Sequence, residues 1–92
     1  MSQHVSEHIE NILSSRGRIK VLKAIVNFGT LNLTRICRIT GLHHRLVKTH
    51  LISLKRYGII SEDIIGKVKV YRINSSNPKA IKIARLIEVL EV

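Results

Sequence analysis

Acidic residues are missing where they would be most expected to balance charge. From Asn11 to Ser61, 51 residues, there is no aspartate or glutamate, although ten lysines and arginines fall in the same stretch. A positive field of that extent points to a polyanion partner. Cysteine is nearly absent as well. Cys37 stands alone, which excludes an internal disulfide and a Cys-paired zinc site. There is no tryptophan, and Phe28, Tyr57 and Tyr71 are the only aromatics. The core must then be built from Ile, Leu and Val, and the stacking platforms that a single-strand binder needs are lacking. No apolar run approaches the roughly 18–20 residues of a membrane span. The start, Met1-Ser2-Gln3-His4, is polar and shows no signal-peptide core. No Ser/His/Asp or Cys/His grouping and no glycine-rich phosphate loop occurs, and carboxylates are too sparse for paired acid–base work. Neither enzyme activity nor a cofactor is expected.

What is present is charge on a short chain. The 92 residues carry a formal net charge of +10 and a pI near 10.5. One domain, 1–92, is expected, burying roughly 60–65% of its unfolded surface, thin enough that a partner chain would help. The charge restricts partners to nucleic acid or an anionic membrane. Nucleic acid, and duplex DNA above all, fits the helix pattern described next. A cytoplasmic, nucleoid-associated protein is the corresponding expectation.

Periodicity predicts the element order α-α-α-α-β-β-α, a mainly α fold with a small β-hairpin (α+β). In the first helix, about 2–14, Val5, Ile9, Ile12 and Leu13 form one stripe. After Ser14-Ser15-Arg16-Gly17, a second helix runs from about Arg18 to Asn27 and stops at Gly29. A third, Leu33 to Thr40, is capped by Asn32 or Thr34 and ended by Gly41. A fourth runs from about His43 to Tyr57, with Leu46, Val47, Leu51 and Leu54 inward. Ile59 to Ile65, a Gly66-Lys67 turn and the alternation of Val68 to Ile73 read as a hairpin. Asn77 caps and Pro78 opens a last helix, about 78–91, with Ala80, Ile83, Ala84, Ile87 and Leu90 on one stripe widened by Ile81 and Leu86.

Leu33 to Gly58 meets the needs of a helix–turn–helix: a small residue at the crossing (Cys37), a turn residue tolerant of positive φ (Gly41), and an apolar lock from Ile36, Ile39, Leu42, Val47 and Leu51. The hairpin that follows would be a wing. On these residues, best over Ile36 to Ile60, "ICRITGLHHRLVKTHLISLKRYGII", the chain resembles the winged helix–turn–helix regulators of the ArsR/MarR type, especially small archaeal ones. Gly41-Leu42, Val47, Leu51, Leu54 and the Gly58-Ile59-Ile60 exit carry the match. The chain departs from the family pattern at three places: His43 stands where Ser, Thr or Asp usually caps the reading helix, Thr40 precedes the turn glycine in place of an apolar residue, and the first wing strand is acidic at Glu62 and Asp63.

The resemblance places base contacts on the outward first turns of the fourth helix, at His44, Arg45, Lys48 and Thr49 with Ile52 beyond. There Arg45 is suited to guanine O6 and N7. His43 is expected to make polar or phosphate contacts. Arg35, Arg38, Lys55 and Arg56 suit phosphate clamping, and Lys67 and Lys69 at the wing tip suit an adjacent minor groove or its backbone. The apolar stripes of the terminal helices, Val5, Ile9, Ile12, Ile83, Leu86, Ile87 and Leu90, are expected to form a homodimer interface. Cys37 reads as packing. His4 and His8 together give at most half a zinc site, so no metal is expected. The function implied is a homodimeric, sequence-specific regulator, more often a repressor in this family. The alternative is an architectural chromatin protein with little sequence preference, and a winged-helix protein adaptor is a weaker third. Operator, target genes and any small-molecule effector are not written in the chain.

Overall fold

The computed structural model of the chain describes residues 10 and 12–91. Glu10, Ile12 and Leu13 are helical; the remainder of the expected first helix, with Val5 and Ile9, lies outside the described residues. Helix α1 (Arg16–Phe28) begins two residues earlier than periodicity predicts, because Ser15 caps it, its hydroxyl accepting from the Arg18 N–H at 3.2 Å. The four buried residues Val21, Leu22, Ala24 and Ile25 recur at helical spacing and face the core.

Strand β1 (Leu31–Asn32) leads directly into helix α2 (Leu33–Thr40). Two residues are too few to show strand alternation, so sequence reading missed β1. Asn32 serves both elements, pairing with Val70 in the sheet and capping α2 by accepting from the Arg35 N–H at 2.8 Å. At the far end Gly41 adopts left-handed φ 74°, and its N–H closes onto the Cys37 carbonyl at 2.8 Å. Thr40, the unusual residue before that glycine, ties the turn from both sides. Its hydroxyl donates to the Ile36 carbonyl (2.7 Å) and accepts from the Leu42 N–H (3.2 Å).

Helix α3 (His44–Arg56) buries Val47, His50, Leu51 and Leu54. Leu46, expected inward, is 43% exposed; it lies about 100° from Val47 and about 140° from Leu51 on the wheel, at the edge of the buried face. His43, by sequence a poor cap, does cap the helix, with Nδ1 accepting from the Arg45 N–H at 3.2 Å. An imidazole nitrogen thus replaces the usual hydroxyl or carboxylate.

The wing is strands β2 (Ile60–Ile65) and β3 (Val68–Ile73), antiparallel and registered Ile60↔Ile73 through Ile65↔Val68. The sheet order is β1-β3-β2. Helix α4 (Pro78–Leu90) has Asn77 as its cap and Pro78 in the first turn, as expected. Its end is fastened to α1: Glu91 accepts from Asn27 Nδ2 at 3.0 Å and pairs with Lys23 at 3.1 Å. Those bonds, from Asn27 first and Lys23 second, hold the Glu91 carboxyl below its usual range.

One apolar cluster joins these elements, with Leu22, Ile25, Ile36, Val47, Leu54 and Ile60 fully enclosed. Each such side chain stabilises the fold by about 1.5–3 kcal/mol. Cys37 is half-buried against this cluster. Ile12 is also a core member, 3% exposed, which corrects its expected place on an outward dimer stripe.

Candidate nucleic-acid interface

Burial of Val47, Leu51 and Leu54 turns the opposite stripe of α3 to solvent, and with it Arg45, Thr49, Ile52 and Arg56. His44, Lys48 and Lys55 flank that stripe, all exposed, with Lys48 and Lys55 toward the wing. Thr49 Oγ1 donates back to the Arg45 carbonyl at 3.1 Å. Its methyl and lone pairs therefore remain outward. Ile52, 59% exposed at mid-helix, presents an apolar group of the kind that meets a thymine methyl. Arg45 and Arg56 lie eleven residues apart, about 16 Å along the axis, more than the roughly 12 Å width of a major groove.

Between α3 and the wing lies an open groove of about 910 Å³. It gathers five of the expected cations, Lys48, Lys55 and Arg56 from α3 with Lys67 and Lys69 from the wing. Asn32, Leu33 and Thr34 form its end wall, so the N-terminus of α2 opens into it and adds its partial positive charge. Sequence reading did not assign these three to the site, although Asn32 as a cap at a helix start was the available signal. His43 and His44 lie elsewhere, their rings stacked with centroids 4.5 Å apart at the N-terminus of α3. Arg35 and Arg38 are exposed on α2 and do not line the groove.

The acidic wing residues, which seemed at odds with a phosphate-binding surface, are both engaged within the protein. Asp63 pairs with Arg72 at 2.7 Å. Glu62, facing the groove, bridges its two walls, reaching Lys55 Nζ at 3.5 Å and Lys69 Nζ at 4.0 Å. Burial, and then the Glu62 charge and its hydrogen bond, raise the Tyr71 hydroxyl above its ordinary range.

His50 turns away from this surface. It is 5% exposed, and its Nδ1 accepts from Arg18 Nε at 3.3 Å. Burial first, and the Arg18 charge second, lower its imidazole below the usual value. The α1 backbone comes so near that a methyl at Gly17 would stand 2.7 Å from His50 Nε2. His50 thus packs α1 against α3. His4 and His8 lie outside the described residues, and no group of three or more His, Cys, Asp or Glu placed to hold a metal occurs among the described ones.

Of the expected dimer residues, Ile83 and Ile87 are half-buried against the chain's own core, whereas Leu86 and Leu90 are 52% and 73% exposed. Val89, 69% exposed, joins them.

No protein-family model matches the chain, and no curated relative does. Solved structures do. The chain is similar to the transcriptional repressor PagR of Bacillus anthracis, with 27% identity over 89% of this chain and 90% of that one and a TM-score of 0.74. The homodimeric winged helix-turn-helix DNA-binding domain of Mb0332 from Mycobacterium bovis, a possible ArsR-family regulator, superposes with a TM-score of 0.76 at 20% identity, covering 94% and 77% of the two chains. The fold is the winged helix. The transcriptional regulator HlyU from Vibrio vulnificus agrees, with a TM-score of 0.80 at 15% identity over 99% and 92%. These three are bacterial proteins, so the archaeal expectation finds no support in them. Within the winged helix, α2, the Gly41 turn and α3 form the helix–turn–helix, and β2–β3 form the wing. No helix among the described residues is long and apolar enough to cross a membrane.

Proposed function

We propose that this protein is a homodimeric transcriptional regulator, a repressor and not an enzyme, that acts on chromosomal DNA in the cytoplasm. The N-terminal half of α3 enters the major groove, where Arg45, Thr49 and Ile52 read base edges with His44 and Lys48 beside them. Lys55, Arg56, Lys67 and Lys69 hold the phosphates that pass between α3 and the wing, and Arg35, Arg38 and His43 contact flanking backbone. The observation that carries this reading is the groove itself. Five cations from two elements converge on one open channel beside an exposed helix face that bears no acid.

Dimerisation through α4, helped by the first helix, would set two reading helices about 34–36 Å apart on a two-fold related site. The exposed Leu86, Val89 and Leu90 support it, as does the homodimeric state of the Mb0332 domain. The test is selection of genomic fragments followed by footprinting. One shared, roughly two-fold symmetric site, preferred over competitor DNA by about 10³ or more, is the expected result. Uniform protection with no preferred site would favour an architectural protein.

A further inference from the structure

The tip of the wing is apolar where the rest of the proposed contact surface is charged. Ile64, Ile65 and Val68 are 67%, 64% and 48% exposed. Register sets Ile65 across from Val68 and Ile64 across from Lys69, around the Gly66-Lys67 turn. Successive residues of a strand face opposite sides. The tip therefore shows isoleucine on both faces, with two ammonium groups beside it. Strand β2 is also a sheet edge. Exposed apolar edges invite unwanted pairing, and proteins ordinarily blunt them with inward charge, proline or a bulge. Neither proline nor bulge interrupts residues 64–69, where the pairing is continuous to the turn, and Lys67 and Lys69 are the only charges there.

An occupant that suits this tip must be anionic at its rim and offer a narrow apolar slot within. Lys67, Val68 and Lys69 line the same groove as Lys48, Lys55 and Arg56, so the tip continues the surface that faces phosphate. The minor groove of duplex DNA, whose base steps can be pried apart by apolar side chains, has that chemistry. We propose that the wing tip is a wedge. Ile64, Ile65 and Val68 enter the minor groove beside the reading helix and partly unstack a base step, while Lys67 and Lys69 neutralise the phosphates that border it. This rests on the duplex-DNA reading above. It adds selection for sequence by deformability, since TA and CA/TG steps unstack more readily than A-tracts.

The test compares wild-type protein with the triple variant Ile64→Thr, Ile65→Thr, Val68→Thr, which keeps β-branching and strand preference and every lysine. Circular dichroism verifies its fold. Each protein is bound to plasmid, which is relaxed by topoisomerase and deproteinised. Wild type is expected to shift the topoisomer distribution, because unstacking unwinds the duplex. The variant should still retard the plasmid and leave the topoisomers as in naked DNA. Short duplexes with a TA step at the wing position should bind wild type about tenfold more tightly than the A-tract equivalent, and the variant should lose that preference. Retardation by wild type without a topoisomer shift overturns the wedge and leaves the DNA reading intact, as does an equal shift by the variant. A variant that changes sedimentation while topoisomers are unaffected assigns the tip to a second copy and also overturns it. Absence of any duplex binding by wild type removes both readings.

Discussion

Replacing Glu62 with glutamine should tighten DNA binding while slightly weakening the fold. The carboxylate spans the groove, 3.5 Å from Lys55 Nζ and 4.0 Å from Lys69 Nζ, and the two lysine side chains are 53% and 64% exposed. Pairs that long and that wet stabilise by about 0.2–1 kcal/mol each, so the fold loses less than about 2 kcal/mol. Glutamine can still accept the Tyr71 hydrogen bond through its amide oxygen. On the DNA side, a phosphate seated on those lysines would lie about 7 Å from the carboxylate. The repulsion there is about 0.6 kcal/mol in water and about 2.4 kcal/mol at an effective dielectric near 20. Taking about 1 kcal/mol per protomer, a dimer gains about thirtyfold in affinity. If wild type neutralises eight to ten phosphates, log K against log salt has a slope of roughly −7 to −9, and the variant's slope should steepen by about 2. Fluorescence anisotropy across a salt series reads both quantities. A folded Glu62→Gln protein that binds more weakly than wild type at equal salt would refute the reasoning, because Lys55 and Lys69 would then not be phosphate ligands.

Two further outcomes follow from the same structure. Burial, and then the Arg18 charge, make the proton affinity of His50 lower in the folded than in the unfolded chain. Its contribution to stability is complete above the unfolded value near 6.5 and is lost as pH falls toward and through the lower folded value. Thermal melts from about pH 7.5 to about pH 5 should show this loss, and His50→Gln should lessen it; equal pH dependence in both proteins would refute the role. Leu86→Asp with Leu90→Asp should yield folded monomers, since both residues are exposed in the protomer and only an interface would exclude their charge. Sedimentation showing wild type already monomeric at micromolar concentration would contradict the dimer.

Much of this arrangement is legible in the chain because local chemistry and global fold agree. Gly41 tolerates the left-handed φ that ends α2, and Asn77 and Pro78 suit the cap and first turn of a helix, so α2, α3 and α4 can be placed without tertiary information. The alternation from Val68 and the Gly66-Lys67 turn likewise fixed the hairpin. What escaped depends on partners distant in sequence. Leu31–Asn32 is a strand only because β3 lies beside it. His50 stands close in sequence to His43 and His44, but α1 supplies Arg18 and a Cβ-free approach at Gly17 that take it inward. Ile12 fits an outward stripe in the local sequence pattern and is instead absorbed by the common core. Glu62 reads as a misplaced charge until the structure sets a lysine on either side of it.

The proposed function gives the two ends of α3 different work, and paired substitutions at Arg45 and Arg56 separate them. Arg45 lies in the first turn on the face opposite Val47 and Leu51, and Arg56 is the last residue of the helix. Competition binding on the footprinted site and on a scrambled duplex should show Arg45→Ala costing about 1–3 kcal/mol on the site and little on scrambled DNA. Arg56→Ala should weaken both alike and make the salt slope shallower by about one unit per phosphate lost. Equal weakening of the two duplexes by Arg45→Ala would make Arg45 a phosphate ligand and the protein an architectural one. No effect from either substitution would mean that α3 is not in the groove, and the account would fail.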